Sequence, residues 1–280
     1  MAMDEKGLGS RLQAARLRAG MTQQMLCQKA DLSYSTLTKI ERGAIKSPSI
    51  FTIQNIATAL GVSLDELLGG KTPARTKHRS ASGVSFVYFD INGCLVRFFH
   101  RAFTELAALT GAPADIVETA FWHYNDRVCR GDMTMDQFNT ALAKELGIDH
   151  VNWIDYYMEA IEPIPVMHEI AAWAADHYHV GLLTNIMPGF IDVMRKKGLI
   201  PDLHYHVVID SSEVGAIKPE SKIFEIATQK AGVAASEILL VDDSRANLMA
   251  AEKQGWHVLW FDDYRPDESA DKVRDALKVV

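Results

Sequence analysis

Four polar sites punctuate the longer part of this chain, and each closes a short apolar run. Ser85-Phe-Val-Tyr-Phe reaches Asp90, followed by Ile91, Asn92 and Gly93. Val180-Gly-Leu-Leu reaches Thr184 and Asn185. Val207-Val-Ile reaches Asp210, and the loop beyond it carries Lys218-Pro219. Glu237-Ile-Leu-Leu-Val reaches Asp242-Asp243-Ser244. An unpaired buried carboxylate is expensive, so packing alone explains Asp90 poorly. Adjacent acids such as Asp242 and Asp243 repel one another unless a cation or water shares their site. Asp and Ser also cap helices, which accounts for the fourth site taken alone but not for four sites of one kind.

The elements that must carry these residues follow from the pattern. Short apolar runs bounded by turn residues suit the buried strands of a parallel sheet, and open α/β sheets place ligands at the carboxyl ends of their strands. Amphipathic helices are expected at about 188–197, 220–231 and 244–254, with a further strand over Trp256 to Phe261. Strands alternating with helices imply a doubly wound parallel sheet. Gly93 lets the backbone turn with φ > 0 directly after the first acid. Between the first and second sites lies an insertion, about 98–162, with helices expected at Ala102–Thr110, Pro113–Arg127, Thr134–Leu146 and Asn152–Ala160.

The order Asp, Thr-Asn, Lys-Pro, Asp-Asp resembles the haloacid dehalogenase-like (HAD) superfamily over all of 83–280. The resemblance implies roles. Asp90 would be the nucleophile that takes a phosphoryl group. Thr184 and the backbone of Asn185 would hold phosphate oxygens, and Lys218 would neutralise nucleophile and phosphate. Asp90, Asp243 and the carbonyl of Asn92 would hold Mg²⁺, with Asp242 at its edge. A carboxylate facing a phosphate dianion needs such cations, and a hard divalent ion with oxygen ligands plus one lysine supplies them. The insertion resembles the family's C1-type helical cap, with Trp122, His123, Asn125, Arg127 and Arg130 as candidate contacts. An aromatic and arginine cluster of this kind is equally a helix interface.

One position departs from the pattern. Phosphatases of the family usually carry Asp two residues after the nucleophile, to protonate the leaving alcohol; this chain has Asn92. General acid catalysis contributes about 10²–10⁴-fold, or about 3–5 kcal/mol of barrier. Its loss falls hardest on alkyl esters, whereas acyl, aryl or anomeric phosphates leave more easily. Asn92-Gly93 is also a deamidation-prone pair, and conversion to aspartate would restore the missing acid. Cys94 reads as a small packed residue.

The first 70 residues read differently. Helical spacing runs through Leu8, Leu12, Ala15 and Leu17. Thr22 caps a helix over Gln23 to Ala30, Ser33 one over Tyr34 to Arg42, and Ser49 one running to Leu60; Ser63 with Glu66 forms a capping box for a fifth. The tight connection at Asp31 and Leu32 fits a helix-turn-helix. Met25, Leu26, Ala30, Leu37 and Ile40 form the expected locking face. From Thr22 to Gly43, and on through Pro48, Ile53, Leu60-Gly-Val-Ser63 and Leu67-Leu68, the sequence resembles the Cro/C1-type (XRE) DNA-binding family. That resemblance implies that Tyr34, Ser35, Thr38 and Lys39 face base edges, that Gln23 and Lys46 hold phosphates, and that the domain binds double-stranded DNA as a dimer. The plainer reading of the same polar face is a solvated or protein-docking surface.

Charge distribution agrees with two parts. Residues 1–70 hold eight Lys/Arg and six Asp/Glu, and 71–82 add four basic residues and no acid, so the overall charge of −7 conceals a basic head on an acidic body. Residues 71–82 read as a basic flexible tether. Three scattered cysteines, Cys27, Cys94 and Cys129, fit a reducing cytoplasmic setting. No apolar run approaches a membrane span, and no leader is expected. Two His-Tyr-His-Val runs, 177–180 and 204–207, read as strand-edge histidines before metal ligands. The expected function is a DNA-binding regulator whose body binds Mg²⁺ and a phosphorylated small molecule, with weak or specialised phosphatase activity. The alternatives are a fully active Mg²⁺-dependent phosphatase with an accessory DNA module, or a scaffold that uses neither site.

Overall fold

The computed structural model describes residues 5–60, 62, 64, 67 and 77–278, and the chain divides into two compact units, Met1–Thr76 and Lys77–Val280.

In the first unit four helices are described: α1 (Glu5–Arg18), α2 (Gln23–Ala30), α3 (Tyr34–Glu41) and α4 (Ile50–Leu60). The caps read from the sequence are formed. Thr22 Oγ1 accepts from the Met25 amide at 3.2 Å, Ser33 Oγ from Thr36 at 3.1 Å and Ser49 Oγ from Thr52 at 3.1 Å. Each such bond satisfies one of the orphan donors of a helix start. Asp31 ends α2 in the left-handed region, at φ 51°. The core draws Leu12, Leu26, Leu37, Ile40, Ile53 and Ile56 from all four helices. Two expected core residues lie outside it: Leu17 and Met25 are 63% and 51% exposed. Both sit at the margin of the apolar stripe, where helical spacing alone does not settle which side of the rim a residue takes. The capping box expected at Ser63 and Glu66 lies outside the described residues.

The second unit is a five-stranded parallel sheet. Its strands are β1 (Phe86–Phe89), β2 (His179–Thr184), β3 (Val207–Asp210), β4 (Ile238–Asp242) and β5 (His257–Trp260), in the order β3-β2-β1-β4-β5. Phe86 pairs with His179 on one side and Ile238 on the other, so β1 is central. Period-two alternation splits the strands between two cores. Val87, Phe89, Leu182, Leu239 and Val241 face one layer, and Phe86, Tyr88, Leu183, Ile209 and Leu240 the other. The first layer also contains the inserted helices α5 (His100–Thr110), α6 (Ala114–Cys129), α7 (Met135–Glu145) and α8 (Trp153–Ala160), then α9 (Pro165–His177). Beyond β2 comes α10 (Phe190–Lys197), and β3 runs into the single turn α11 (Ser211–Val214). Helices α12 (Ser221–Ala231) and α13 (Arg245–Lys253) cover the second face, and α14 (Pro266–Ala276) returns to the first.

Three of these helices, α9, α11 and α14, have no counterpart in the sequence pattern. The expected tether also proves shorter at its far end. His78 donates its amide to the His177 carbonyl at 2.7 Å and Ala81 to that of Lys278 at 3.0 Å, so 78–81 belong to the second unit's framework. Residues 71–76 lie outside the described residues.

Candidate functional site

Strand direction brings the chemistry together. Asp90 follows β1, Thr184 ends β2, Asp210 ends β3 and Asp242 ends β4, so all four lie at the carboxyl edge of one sheet. Lys218 reaches into the same place from the loop after α11. Its Nζ lies 3.0 Å from Asp90 Oδ2 and 2.6 Å from Asp242 Oδ2, with the lysine and Asp242 side chains almost completely buried. The lysine backbone is itself fixed by Asn185, whose Nδ2 donates to the Lys218 carbonyl at 2.8 Å and whose Oδ1 accepts the Lys218 amide at 2.7 Å. The Asn185 side chain therefore holds the lysine loop.

Asp90, Asp242 and Asp243 each present a carboxylate oxygen within 4.8 Å of the others, a grouping that can hold a metal ion. The three acids are not equivalent. Asp242 Oδ1 accepts from the Ser244 amide at 2.8 Å, and Asn247 Nδ2 reaches both of its oxygens at 3.1 and 3.2 Å. With Lys218 added, the lone pairs of Asp242 are committed inside the protein. Among the described residues, Asp90 Oδ1 accepts only the Ile91 amide, at 2.8 Å. Gly93 makes room for the third acid: a Cβ there would lie 2.2 Å from Asp243 Oδ2, and Gly93 has φ +81°.

Burial dominates the electrostatics. It pushes the Asp90 carboxyl up to about 7; Lys218 works against the rise, while Asp242 and Asp243 add to it. Burial and then Asp242 push Asp243 up to about 6. Burial also acts against the Lys218 ammonium, but Asp242 and Asp90 outweigh it and hold the lysine above its ordinary value. One cation shared among three acids leaves negative charge uncompensated, which is the condition under which a carboxylate keeps its proton. Thr184 completes the site. It is fully buried, and among the described residues its Oγ1 has no hydrogen-bond partner. Buried hydroxyls are rarely left so without a ligand or water to take them up.

Three residues at the site were not singled out from the sequence. Tyr157 of α8 donates its hydroxyl to Asn92 Oδ1 and packs its ring 4.6 Å from Phe99 and 4.8 Å from Phe190. Its i,i+4 spacing from Trp153 marks a buried face, but nothing local shows what that face meets. Asn247 could be placed on α13, though not against Asp242. Glu220 pairs with Arg130 through Arg130 Nη2. That ion pair corrects the expectation for Arg130: its guanidinium is taken by Glu220 and, at 3.8 Å, by Asp132. Arg127 is exposed, and among the described residues no ion pair joins it to the carboxylates. Trp122 donates to Glu118 of its own helix at 3.1 Å, His123 is exposed, and Asn125 is bonded to Asp126 and Cys129. The insertion lies close to the sheet edge all the same: a Cβ at Gly131 would fall 2.5 Å from the Ser212 carbonyl oxygen.

The paired histidines do not share strands. His177 ends α9 while His179 opens β2, and the close pair is instead His179 with His206, ring centroids 4.6 Å apart. The Asn92-Gly93 turn opposes deamidation. The Gly93 amide that would attack the side chain donates to the Val96 carbonyl at 2.8 Å, and Tyr157 holds the Asn92 side chain.

A family model described as haloacid dehalogenase-like hydrolase matches residues 85–255, more than half of the chain. The chain belongs to the haloacid dehalogenase-like hydrolases. Ahead of its hydrolase unit, a second model described as helix-turn-helix matches residues 12–67, which makes the first unit a helix-turn-helix DNA-binding domain. An immunity repressor protein of Bacillus phage phi105 is 38% identical over 65 residues, covering 23% of this chain and 44% of that protein. Mouse acyl-CoA dehydrogenase family member 10 is 26% identical over 239 residues, covering 79% of this chain and 21% of that one. The chain therefore spans about a fifth of the mouse protein and under half of the repressor. Among solved structures, a HAD family enzyme of Bacteroides thetaiotaomicron in complex with magnesium and inorganic phosphate superposes with a TM-score of 0.58 at 17% identity, covering 65% of this chain and 95% of that one. That likeness establishes the HAD-like fold.

In the DNA-binding unit, Tyr34, Ser35 and Lys39 are exposed on α3 and Lys46 is exposed beyond it. Two expected contacts are placed otherwise. Thr38 is half-buried, and its Oγ1 is buried rather than turned outward, without a hydrogen-bond partner among the described residues. Gln23 is held internally: its Nε2 donates to Glu41 Oε2 at 2.7 Å, and its Oε1 accepts from Tyr34 at 2.8 Å. Glu41 in turn takes Arg16 at 2.7 and 3.1 Å. A glutamine at a helix start gives no sequence sign of whether its amide is free. Among the described residues, no helix is long and apolar enough to cross a membrane.

Proposed function

We propose that this hydrolase binds Mg²⁺ and a phosphorylated small molecule at the Asp90–Lys218–Asp243 cluster, and that its activity is a phosphoryl transfer to Asp90. The observation that carries this reading is the single buried ammonium between Asp90 and Asp242, with an unpartnered Thr184 hydroxyl on the neighbouring strand. An ammonium, an orphan donor and a carboxylate gather at the carboxyl ends of adjacent strands, a donor set that suits a tetrahedral oxyanion.

The donor set fits a hard divalent cation. Asp90, Asp243 and the Asn92 backbone carbonyl would hold it, since Asp242 is already committed to Lys218, Ser244 and Asn247. A bound ion supplies charge neutralisation, letting a carboxylate meet a phosphate dianion. The chain's own residues do the rest. Lys218 offsets charge on Asp90 and phosphate together. Thr184 donates to a phosphate oxygen. Asn185 fixes the lysine loop. Asn92 offers no proton, so leaving groups that need one depart slowly. The likeness to an enzyme crystallised with magnesium and phosphate supports the same assignment.

The helix-turn-helix unit reads as the part that meets double-stranded DNA, as a homodimer, in a cytoplasmic regulator. Tyr34, Ser35 and Lys39 face base edges and Lys46 takes a phosphate. Calorimetric titration of the full chain tests the phosphate-handling reading. Inorganic phosphate should bind only with Mg²⁺ present, and Lys218→Ala should remove that binding. Equal phosphate affinity in Lys218→Ala would overturn it. Selection from a random duplex pool, followed by binding of the selected sequence as a dimer, tests the DNA reading.

A further inference from the structure

We propose that the hydrolase unit takes the phosphoryl group of an acyl phosphate onto Asp90 and keeps it there, as a long-lived aspartyl phosphate. The inference rests on the reading of Asp90 as phosphoryl acceptor and goes beyond it in naming the donor class and the step at which the sequence stops.

The two half-reactions make different demands. In the first, a carboxylate oxygen of Asp90 attacks phosphorus, and the bond from phosphorus to the donor's bridging oxygen breaks. That oxygen leaves with the electron pair. When the leaving group is a carboxylate, a weak base, it needs no proton from the protein. When it is an alkoxide it needs one, and Asn92 has none to give. Acyl phosphates therefore pass the first step where alkyl phosphates stall.

In the second half-reaction water attacks the aspartyl phosphate. The bond from phosphorus to the Asp90 oxygen breaks, the carboxylate is regenerated, and the attacking water must give up a proton. Something beside Asp90 must accept it. A neutral amide is not a base, and the acceptor face of Asn92 is already used: its Oδ1 takes the hydrogen of Tyr157, a side chain 3% exposed and wedged between Phe99 and Phe190. Tyr157 is the donor in that bond and cannot also be the acceptor of a water proton. Asp210, at the end of β3, turns its Oδ1 to the Ser212 amide and hydroxyl at 2.8 and 2.6 Å and stands outside the group of Asp90, Asp242 and Asp243. Asp242 accepts from Lys218, Ser244 and Asn247. Cys94 is fully buried, its Sγ turned 3.8 Å from the Val241 carbonyl oxygen. Asp243 belongs to the cation set. The site can thus accept a phosphoryl group and lacks the means to pass it to water.

The experiment uses the full chain with Mg²⁺ and acetyl phosphate as probe. Intact mass and peptide mapping after removal of the donor report the phosphoryl label and its lifetime, alongside release of inorganic phosphate. The expected result is one phosphoryl group per chain on the Asp90 peptide of the parent, lost slowly. In Asn92→Asp the label should decay at least about a hundredfold faster, with continuous phosphate release, the scale of a restored general base. Continuous turnover by the parent with no accumulated label would overturn the inference and leave Asp90 as acceptor. Absence of both label and turnover in the parent and in Asn92→Asp would overturn the Asp90 reading itself. If Asn92→Asp does not fold, the parent alone decides: a label lasting no longer than the donor's own hydrolysis is fatal to the proposal.

Discussion

The Lys218 ammonium sits 2.6 Å from Asp242 Oδ2, closer than its 3.0 Å approach to Asp90. Asp242 is therefore the lysine's anchor, and Asp90 is the partner left free to react. Asp242→Asn keeps the shape and the Ser244 contact while deleting the charge. Asp90 stays 3.0 Å from the lysine and one of three mutually repelling acids is lost, so the ammonium is less well paired rather than stranded. The variant should lower stability by about 1–3 kcal/mol, whereas Asn247→Ala, which removes a neutral donor, should cost about 1 kcal/mol. Urea unfolding midpoints of the two variants check this. A smaller loss in Asp242→Asn than in Asn247→Ala would mean that Asp90 is the true anchor.

The acids beside that lysine give the metal-free protein a pH dependence of definite sign. Asp90 is raised to about 7 and Asp243 to about 6, mainly by burial, from an ordinary value of 3.8. The folded state then holds protons that the unfolded chain releases. Stability from these groups is full below the unfolded value and is lost as pH rises through about 6 and then about 7. Mg²⁺, binding only the deprotonated acids, should oppose that loss. The thermal midpoint should rise more with Mg²⁺ at pH 8 than at pH 5.5, by differential scanning fluorimetry against EDTA controls. Equal shifts at both pH values would show that these carboxylates do not receive the ion.

Gly93 links the backbone to the same cation. Its φ of +81° disfavours any side chain, and a Cβ would stand 2.2 Å from Asp243 Oδ2. Gly93→Ala should displace Asp243 and strain the turn by about 1–3 kcal/mol. Mg²⁺ affinity should fall at least tenfold by calorimetry while the far-ultraviolet circular dichroism spectrum stays that of the parent. Unchanged Mg²⁺ affinity would remove Asp243 from the ligand set.

The strands, their order of polar ends and three helix caps were legible because each is a local pattern: an apolar run, then an acid, or Ser and Thr before a helix. The residues that complete the site were not. Tyr157 meets Asn92 across 65 positions and Arg130 meets Glu220 across 90, distances over which no periodicity carries information. The same limit explains Gln23 and Thr38. Their types suit a DNA face, and only tertiary packing turns one hydroxyl inward and ties one amide to Glu41. Helix α14 escapes because its buried stripe is only Ser269, Ala270 and Val273, too few apolar residues to mark a helical face.

The DNA-binding unit separates stability from contact in one comparison. Arg16 and Glu41 are both nearly buried and joined at 2.7 Å, with Gln23 on the same carboxylate and Arg16 also donating to the Met21 carbonyl at 2.8 Å. Glu41→Ala leaves a buried guanidinium and the Gln23 amide without their acceptor, a loss on the order of 1–3 kcal/mol. DNA affinity should then fall through a smaller folded fraction and recover on cooling. Lys46 is exposed, and exposed substitutions commonly change stability by less than about 0.5 kcal/mol. Lys46→Ala should leave unfolding unchanged, weaken binding evenly across duplex sequences, and reduce the slope of log affinity against log salt by about 1. Fluorescence anisotropy across a salt series, with the full chain and a duplex drawn from the selected pool, distinguishes the two. If Lys46→Ala alters sequence preference instead of the salt slope, the residue reads bases and its assignment to a phosphate is wrong.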